Sequence, residues 1–234
     1  MLFMDTILVN RFIDHAVLKP EMTRDEVIGA IKLGIDYKVK TVCVRPCDIQ
    51  LAVLMCKGTD TEVSCVLSFP HGVGISQIKG EEAKLYIEQG VNEIDMVVNY
   101  SYIKSGQWDL VEEDMKAVSD ITKPAGITLK VILETGMLTL EEIKKATEIA
   151  IKAKADFVKT STGFNGGGAT VEAVEIMLKT SGGRIKVKAS GGIRDSQRAK
   201  LFLQMGCERL GTNYSSTPII CDSDGIKTTT SSEY

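Results

Sequence analysis

The sequence has no long apolar run: nowhere do the roughly 18 consecutive apolar residues needed to cross a bilayer occur. It has no basic excess either, with 28 Lys and Arg against 31 Asp and Glu and a net charge of −3. Nucleic acids and anionic membrane surfaces want a basic face, so neither is expected as a partner. Any anionic ligand must then be held by a local site. The opening residues, MLFMDTILVNRF, carry an acid at Asp5 and show neither a basic n-region nor a small-residue cleavage site, so no secretory signal is read there. Metal-ligand spacing is missing too. Cys43, Cys47, Cys56, Cys65, Cys207 and Cys221 are irregularly spaced, and neither histidine lies near the Cys43/Cys47 pair. Several of these cysteines sit in apolar runs, where a free thiol behaves as a small buried hydrophobe. Core cysteine is therefore preferred to a zinc site, and a reduced, cytoplasmic setting is expected.

What remains is an ordinary globular composition, 44% hydrophobic and 25% charged over 234 residues. Eight short apolar runs, at 12–18, 39–44, 62–69, 93–98, 127–133, 155–159, 185–189 and 208–211, alternate with amphipathic stretches. The helices are read at 23–36, 76–89, 108–120, 139–153, 170–180 and 195–205. Thr23 with Glu26 makes a capping box before Val27, Ile28, Ile31 and Ile35. Gly90, Gly126 and Gly206 fall at helix ends, where a left-handed residue is wanted. Strand–helix alternation implies parallel pairing, and eight units predict a single α/β domain, a (β/α)8 TIM barrel over residues 1–212. Residues 213–234 show no helical period, contain Pro218 and Gly225, and end in a Ser/Thr run, so they are read as a divergent, flexible tail.

In such a barrel, functional groups gather at the C-terminal ends of strands. Those ends read Asp14, Cys43, Phe69-Pro70, Asp95, Glu134, Lys159, Lys188 and Gly211. A single strand lysine is most simply a snorkelling side chain or a salt-bridge partner. Two on neighbouring strands, each followed by a Gly-rich loop, are costlier to place. Crowding two ammonium groups lowers an amine pKa. A free lysine near 10.4 is only about 0.04% neutral at pH 7, and bringing it to about 7 takes roughly 4.6 kcal/mol. The neutral amine can then attack a carbonyl and form a Schiff base, with Asp95 and Asp14 relaying protons or holding the second lysine charged. The loops after Lys159 (TSTGFNGGG) and Lys188 (ASGGIR), with Gly211-Thr212, favour phosphate through exposed backbone N–H groups. His15, His71 and Trp108 are read as packing residues and Cys43 as pocket lining. Glu134, four residues after Lys130, is expected to pair with it inside the barrel.

The segments FIDHAVLKP, TVCVRP, FPHG, NEIDMVVN, LKVILETGMLT, ADFVKTSTGFNGGGAT, VKASGGIRD and RLGT run in order through residues 12–212. Together they resemble the deoxyribose-phosphate aldolase family of class I aldolases. The resemblance implies Lys159 as the Schiff-base lysine and Lys188 as the second lysine that depresses its pKa. It implies Asp95 as the group activating water, and Asp14 as the residue holding Lys188. Thr162, Gly163, Gly191, Gly192 and Gly211 would surround the substrate phosphate. The implied reaction is reversible cleavage of 2-deoxy-D-ribose 5-phosphate to D-glyceraldehyde 3-phosphate and acetaldehyde, with no metal or organic cofactor, by a homodimer. Four positions depart from the family pattern: Ala16 replaces a threonine, Arg45 an asparagine, and Asn213-Tyr214 two phosphate-facing serines. The last leaves two alternatives, a related Schiff-base aldolase with a shifted acceptor aldehyde and a non-catalytic sugar-phosphate-binding barrel. A terminal tyrosine reaches the active site in some members, and Tyr234 ends this chain.

Overall fold

The computed structural model describes residues 8–226 and 228. Eight strands follow one another around a closed, all-parallel barrel: β1 (Ile13–Val17), β2 (Thr41–Val44), β3 (Glu62–Leu67), β4 (Glu93–Val97), β5 (Thr128–Ile132), β6 (Phe157–Lys159), β7 (Lys186–Ser190) and β8 (Arg209–Asn213). β8 returns to β1 in parallel, with Asp14 opposite Gly211. All eight lie within two residues of the runs read from the sequence.

The outer layer holds α1 (Arg24–Asp36), α2 (Ile49–Cys56), α3 (Ser76–Glu88), α4 (Tyr100–Lys104), α5 (Trp108–Thr122), α6 (Leu140–Lys152), α7 (Val171–Ser181), α8 (Ser196–Met205) and α9 (Thr217–Asp222). The expected Thr23–Glu26 capping box opens α1, and Gly90, Gly126 and Gly206 adopt φ of 93°, 69° and 111°. α2 and α4 were not read from the sequence. The first is apolar at every position but Gln50, and the second has only five residues, so neither shows a helical period.

The tail reading needs correction. Residue 213 still belongs to β8, and α9 follows it, with Ile220 and Cys221 fully buried. Pro218 lies in the first turn, where its missing N–H costs nothing. Asp222 accepts from the Tyr37 hydroxyl at 2.8 Å, and Thr217 Oγ1 bonds His15 Nδ1 at 2.8 Å. Six residues are too few to reveal an amphipathic period. The last strand is thus covered like the others. Tyr234 lies outside the described residues.

Side chains alternate along each strand. The outward set, including Val42, Cys65, Ile94, Met96, Val131, Val158 and Leu210, joins one apolar core beneath the helices. The inward set is largely polar: Asp14, Thr41, Ser64, Asp95, Lys130, Lys159, Lys188 and Arg209 are all buried.

Candidate active site

Strand register brings the charged groups together. Lys159 lies opposite Lys188 across β6 and β7, Lys188 opposite Arg209 across β7 and β8, and Asp95 opposite Lys130 across β4 and β5. Asp95 Oδ2 accepts from Lys159 Nζ at 2.8 Å and from Lys188 Nζ at 2.7 Å, so one carboxylate oxygen joins both amines. Its other oxygen accepts from Lys130 Nζ at 2.7 Å. Lys188 also bonds Asp14, which in turn pairs with Arg209. Glu93 completes the group by pairing with Lys130 and Arg209. The connected cluster holds four cations and three carboxylates, all buried.

Burial and the charged neighbours of each group set the acid–base behaviour. Burial lowers the Lys159 pKa, because removing an ammonium from water costs more than removing an amine. Asp95 opposes the shift and the neighbouring Lys188 cation adds to it. Lys188 goes the other way: burial would lower it, but Asp14 and Asp95 together hold it above the usual lysine range. For both aspartates burial would favour the acid form, but the surrounding cations keep them well below the usual carboxylate range. The proton the cluster gives up most readily is therefore on Lys159.

Above the cluster a cavity of about 180 Å³ opens at the C-terminal end of the strands. Lys159, Lys188, Asp14, Thr162, Gly163, Gly191, Gly192 and Gly211 all line it. Asp95 does not. It is fully buried beneath the two lysines and meets the cavity only through them. Asp14 is the second residue of β1 rather than its end, as the sequence reading had placed it. It lines the cavity beside Gly211, its neighbour on β8. A Cβ there would strike Ser190 and come within 3.3 Å of Lys188 Cε. Gly191 is required for another reason. Its φ is 89°, and a Cβ would meet the Gly168 Cα of the preceding loop at 2.9 Å. The two Gly-rich loops touch here, Ala169 N donating to Gly191 O at 3.1 Å.

Several residues missed by the sequence reading also serve the site. Lys19 and Arg194 line the cavity and bring positive charge to its mouth. Glu93 and Arg209 belong to the cluster; Glu93, two residues before Asp95, shares its inward face, which period-two counting could have found. The expected Lys130–Glu134 pair does not form. Lys130 is spent on Asp14, Glu93 and Asp95, while Glu134 lies beyond β5 in a left-handed conformation (φ 57°) and bonds Thr162 and Asn165. A strand period cannot be carried past the strand's end.

The departures from the family pattern have distinct fates. Ala16 and Asn213 line the cavity, but Tyr214 packs its ring edge-on to His15, at 6.4 Å between centroids. Arg45 bonds Asp48 at 2.7 Å and reaches the carbonyls of Lys19 and Pro20 at 3.0 Å, pinning the loop that carries Lys19. His15 is a packing residue as expected: Thr217 and the Ala30 carbonyl occupy its nitrogens, and burial pushes its pKa down to about 4. Cys43 lines the cavity, and burial raises its thiol pKa, which disfavours the nucleophilic thiolate.

Comparison with known proteins agrees with this geometry. A family model described as DeoC/LacD family aldolase matches residues 8–207. A deoxyribose-phosphate aldolase of Natranaerobius thermophilus is 45% identical over 212 residues, covering 88% of this chain and 94% of that protein. Among solved structures, an aldolase designated QR15 superposes with a TM-score of 0.86 at 39% identity, covering 93% of this chain and 96% of that one. The deoxyribose phosphate aldolase of Aeropyrum pernix, described as tetrameric, gives 0.84 at 26% identity, covering 92% and 90%. With a matched family model spanning nearly all of the barrel and the paired lysines in its interior, the chain belongs to the DeoC/LacD family of aldolases.

Proposed function

We propose that this chain is a class I aldolase that reversibly cleaves 2-deoxy-D-ribose 5-phosphate to D-glyceraldehyde 3-phosphate and acetaldehyde. The observation carrying this reading is the pair of lysine nitrogens on one Asp95 oxygen, beneath a cavity walled by Gly-rich loops. In the proposed cycle, neutral Lys159 adds to the C1 carbonyl of the open-chain sugar. Loss of water leaves a protonated imine. The C2–C3 bond then breaks, its electrons moving into the imine to give an enamine, while the C3 hydroxyl loses its proton as glyceraldehyde 3-phosphate departs. Protonation of the enamine carbon and addition of water release acetaldehyde and regenerate Lys159.

Lys188 keeps a positive charge beside the reacting nitrogen and supplies protons. Asp14 holds Lys188, and Asp95 sits between the amines where a proton can pass to the water lost from the carbinolamine. Thr162, Gly163, Gly191, Gly192 and Gly211 form the phosphate side of the cavity, and Lys19 and Arg194 offset the ligand's charge. Asn213 in the cavity wall supports a second reading, the same Schiff-base chemistry with a shifted acceptor aldehyde. The proposal includes a cytoplasmic homodimer. Six free cysteines suit that compartment, the assembly rests on family resemblance, and light scattering on the eluted protein reads it directly.

A retro-aldol assay coupled to glyceraldehyde 3-phosphate detection tests the reading. Turnover of the phosphorylated sugar far above that of 2-deoxyribose is expected, and borohydride with acetaldehyde should trap an adduct on Lys159. Equal turnover of the two sugars would favour the shifted acceptor, and tight binding without cleavage a non-catalytic barrel. Labelling confined to other lysines would overturn the mechanism.

A further inference from the structure

Glu134 belongs to neither the lysine cluster nor the cavity lining, yet it is fully buried and held in a left-handed backbone conformation. Among the described residues, its carboxylate accepts hydrogen bonds from the loop between β6 and α7. Thr162 donates its backbone N–H at 3.2 Å and its hydroxyl at 2.5 Å, and Asn165 donates Nδ2 at 2.9 Å. Because Thr162 Oγ1 gives its proton to Glu134, its lone pairs face the loop, where it accepts from Phe164 N at 3.1 Å. The Asn165 amide spans from Glu134 to the Pro70 carbonyl, also at 2.9 Å, and Phe164 packs edge-on against Phe69 at 5.1 Å. One acceptor thus ties the loop after β6 to the end of β5 and to the loop after β3.

We propose that Glu134 is a positioning residue that holds Thr162, Gly163 and Phe164 as a preformed wall of the substrate cavity. The chemistry requires a carboxylate. Three donors converge on it, and only an acceptor-only group can meet all three. An amide in its place turns an N–H toward one of those donors. The contribution is pre-organisation: the loop's backbone N–H groups are aimed before the sugar phosphate arrives, so binding does not have to order them. This inference rests on the phosphate assignment proposed above. It adds that substrate affinity is set from a residue that never touches the substrate.

The test is steady-state kinetics of Glu134→Gln, Asn165→Ala and the double variant, alongside borohydride trapping of acetaldehyde on Lys159. Acetaldehyde carries no phosphate and does not need the loop. Glu134→Gln is expected to raise KM for 2-deoxyribose 5-phosphate about ten-fold or more, the scale of one charged hydrogen bond. The change in kcat is expected to stay within about three-fold, and trapping should proceed as in the parent. Asn165→Ala removes one of the three donors and should raise KM less. The double variant should lose less than the sum of the two single effects, because both variants remove the shared Glu134–Asn165 contact. A fall in kcat with KM unmoved, or additive effects in the double variant, overturns the inference. If Glu134→Gln does not fold, Asn165→Ala decides alone, and an unchanged KM overturns it. Failure of trapping in the parent protein would instead sink the Schiff-base reading, so the two failures are distinguishable.

Discussion

Lys79 and Lys159 are both buried lysines bonded to a buried aspartate, and burial lowers the pKa of both. Lys79 projects from α3, donates to Asp114 of α5 at 2.7 Å and to the Val97 carbonyl at 3.0 Å, and is fully enclosed. Its aspartate also accepts from Asn99 N and Ser76 Oγ. Lys159 shares its aspartate with two other lysines, in a cluster with one cation too many, and opens onto the cavity. Desolvation alone therefore does not make a lysine reactive. The first pair is balanced and sealed, and it fastens α3, α5 and the end of β4. The second combines surplus charge with access, which a nucleophile needs.

Exchanging the two lysines' fates would break this comparison, and truncating each gives the largest expected contrast. Lys159→Ala should lose aldolase activity by several orders of magnitude, with no acetaldehyde adduct and little loss of stability, since it relieves excess charge. Lys79→Met should form the adduct normally but lose on the order of 3–5 kcal/mol of stability, because Asp114 is left buried and unpaired. Denaturant unfolding beside mass spectrometry of the trapped protein reads both. Reactive labelling at Lys79 would overturn the contrast.

Lys188→Leu sharpens the electrostatic half. Removing this cation relieves Lys159 of a neighbour that favours its neutral form, so the Lys159 pKa should rise and the neutral fraction near pH 7 fall. The acid limb of kcat/KM should move to higher pH, with activity down nearly as far as in Lys159→Ala. An unmoved profile would mean that Lys188 does not tune the nucleophile.

The smallest effect concerns acid stability, where the two networks have opposite signs. The folded-state pKa of Asp14 lies below the ordinary 3.8, so the unfolded chain binds the proton more readily. Stability from this group is present above that value and is lost as pH falls through the folded pKa. Burial raises the Asp114 pKa above 3.8 despite Lys79, so there the folded state takes up the proton first. Asp14→Asn should therefore flatten the loss of stability in acid, whereas Asp114→Asn should steepen it or leave it unchanged. Urea unfolding across pH 2–6 measures the slopes, and a matching response of both variants would remove the distinction.

Much of the site was legible in the chain because strand parity is local. Glu93 and Asp95 are two apart, and Lys159 and Lys188 each close a β-branched run before a Gly-rich loop. Glu134 was misread because it lies past the end of β5, where parity no longer applies. Where Tyr214 goes is not legible in the chain, because a short 3-10 turn after β8 swings it toward His15.

The sequence by itself determined the eight strands, the six longer helices and the presence of two lysines suited to amine chemistry, since each depends on residues a few positions apart. Only the tertiary structure decided which charges meet. Asp14 and Arg209 are 195 positions apart and bond because the sheet closes. That closure places four cations among three carboxylates, and burial together with the neighbouring Lys188 cation lowers the pKa of one lysine, Lys159. Net charge within a cavity is a property of the closed barrel, and no single segment of the chain contains it.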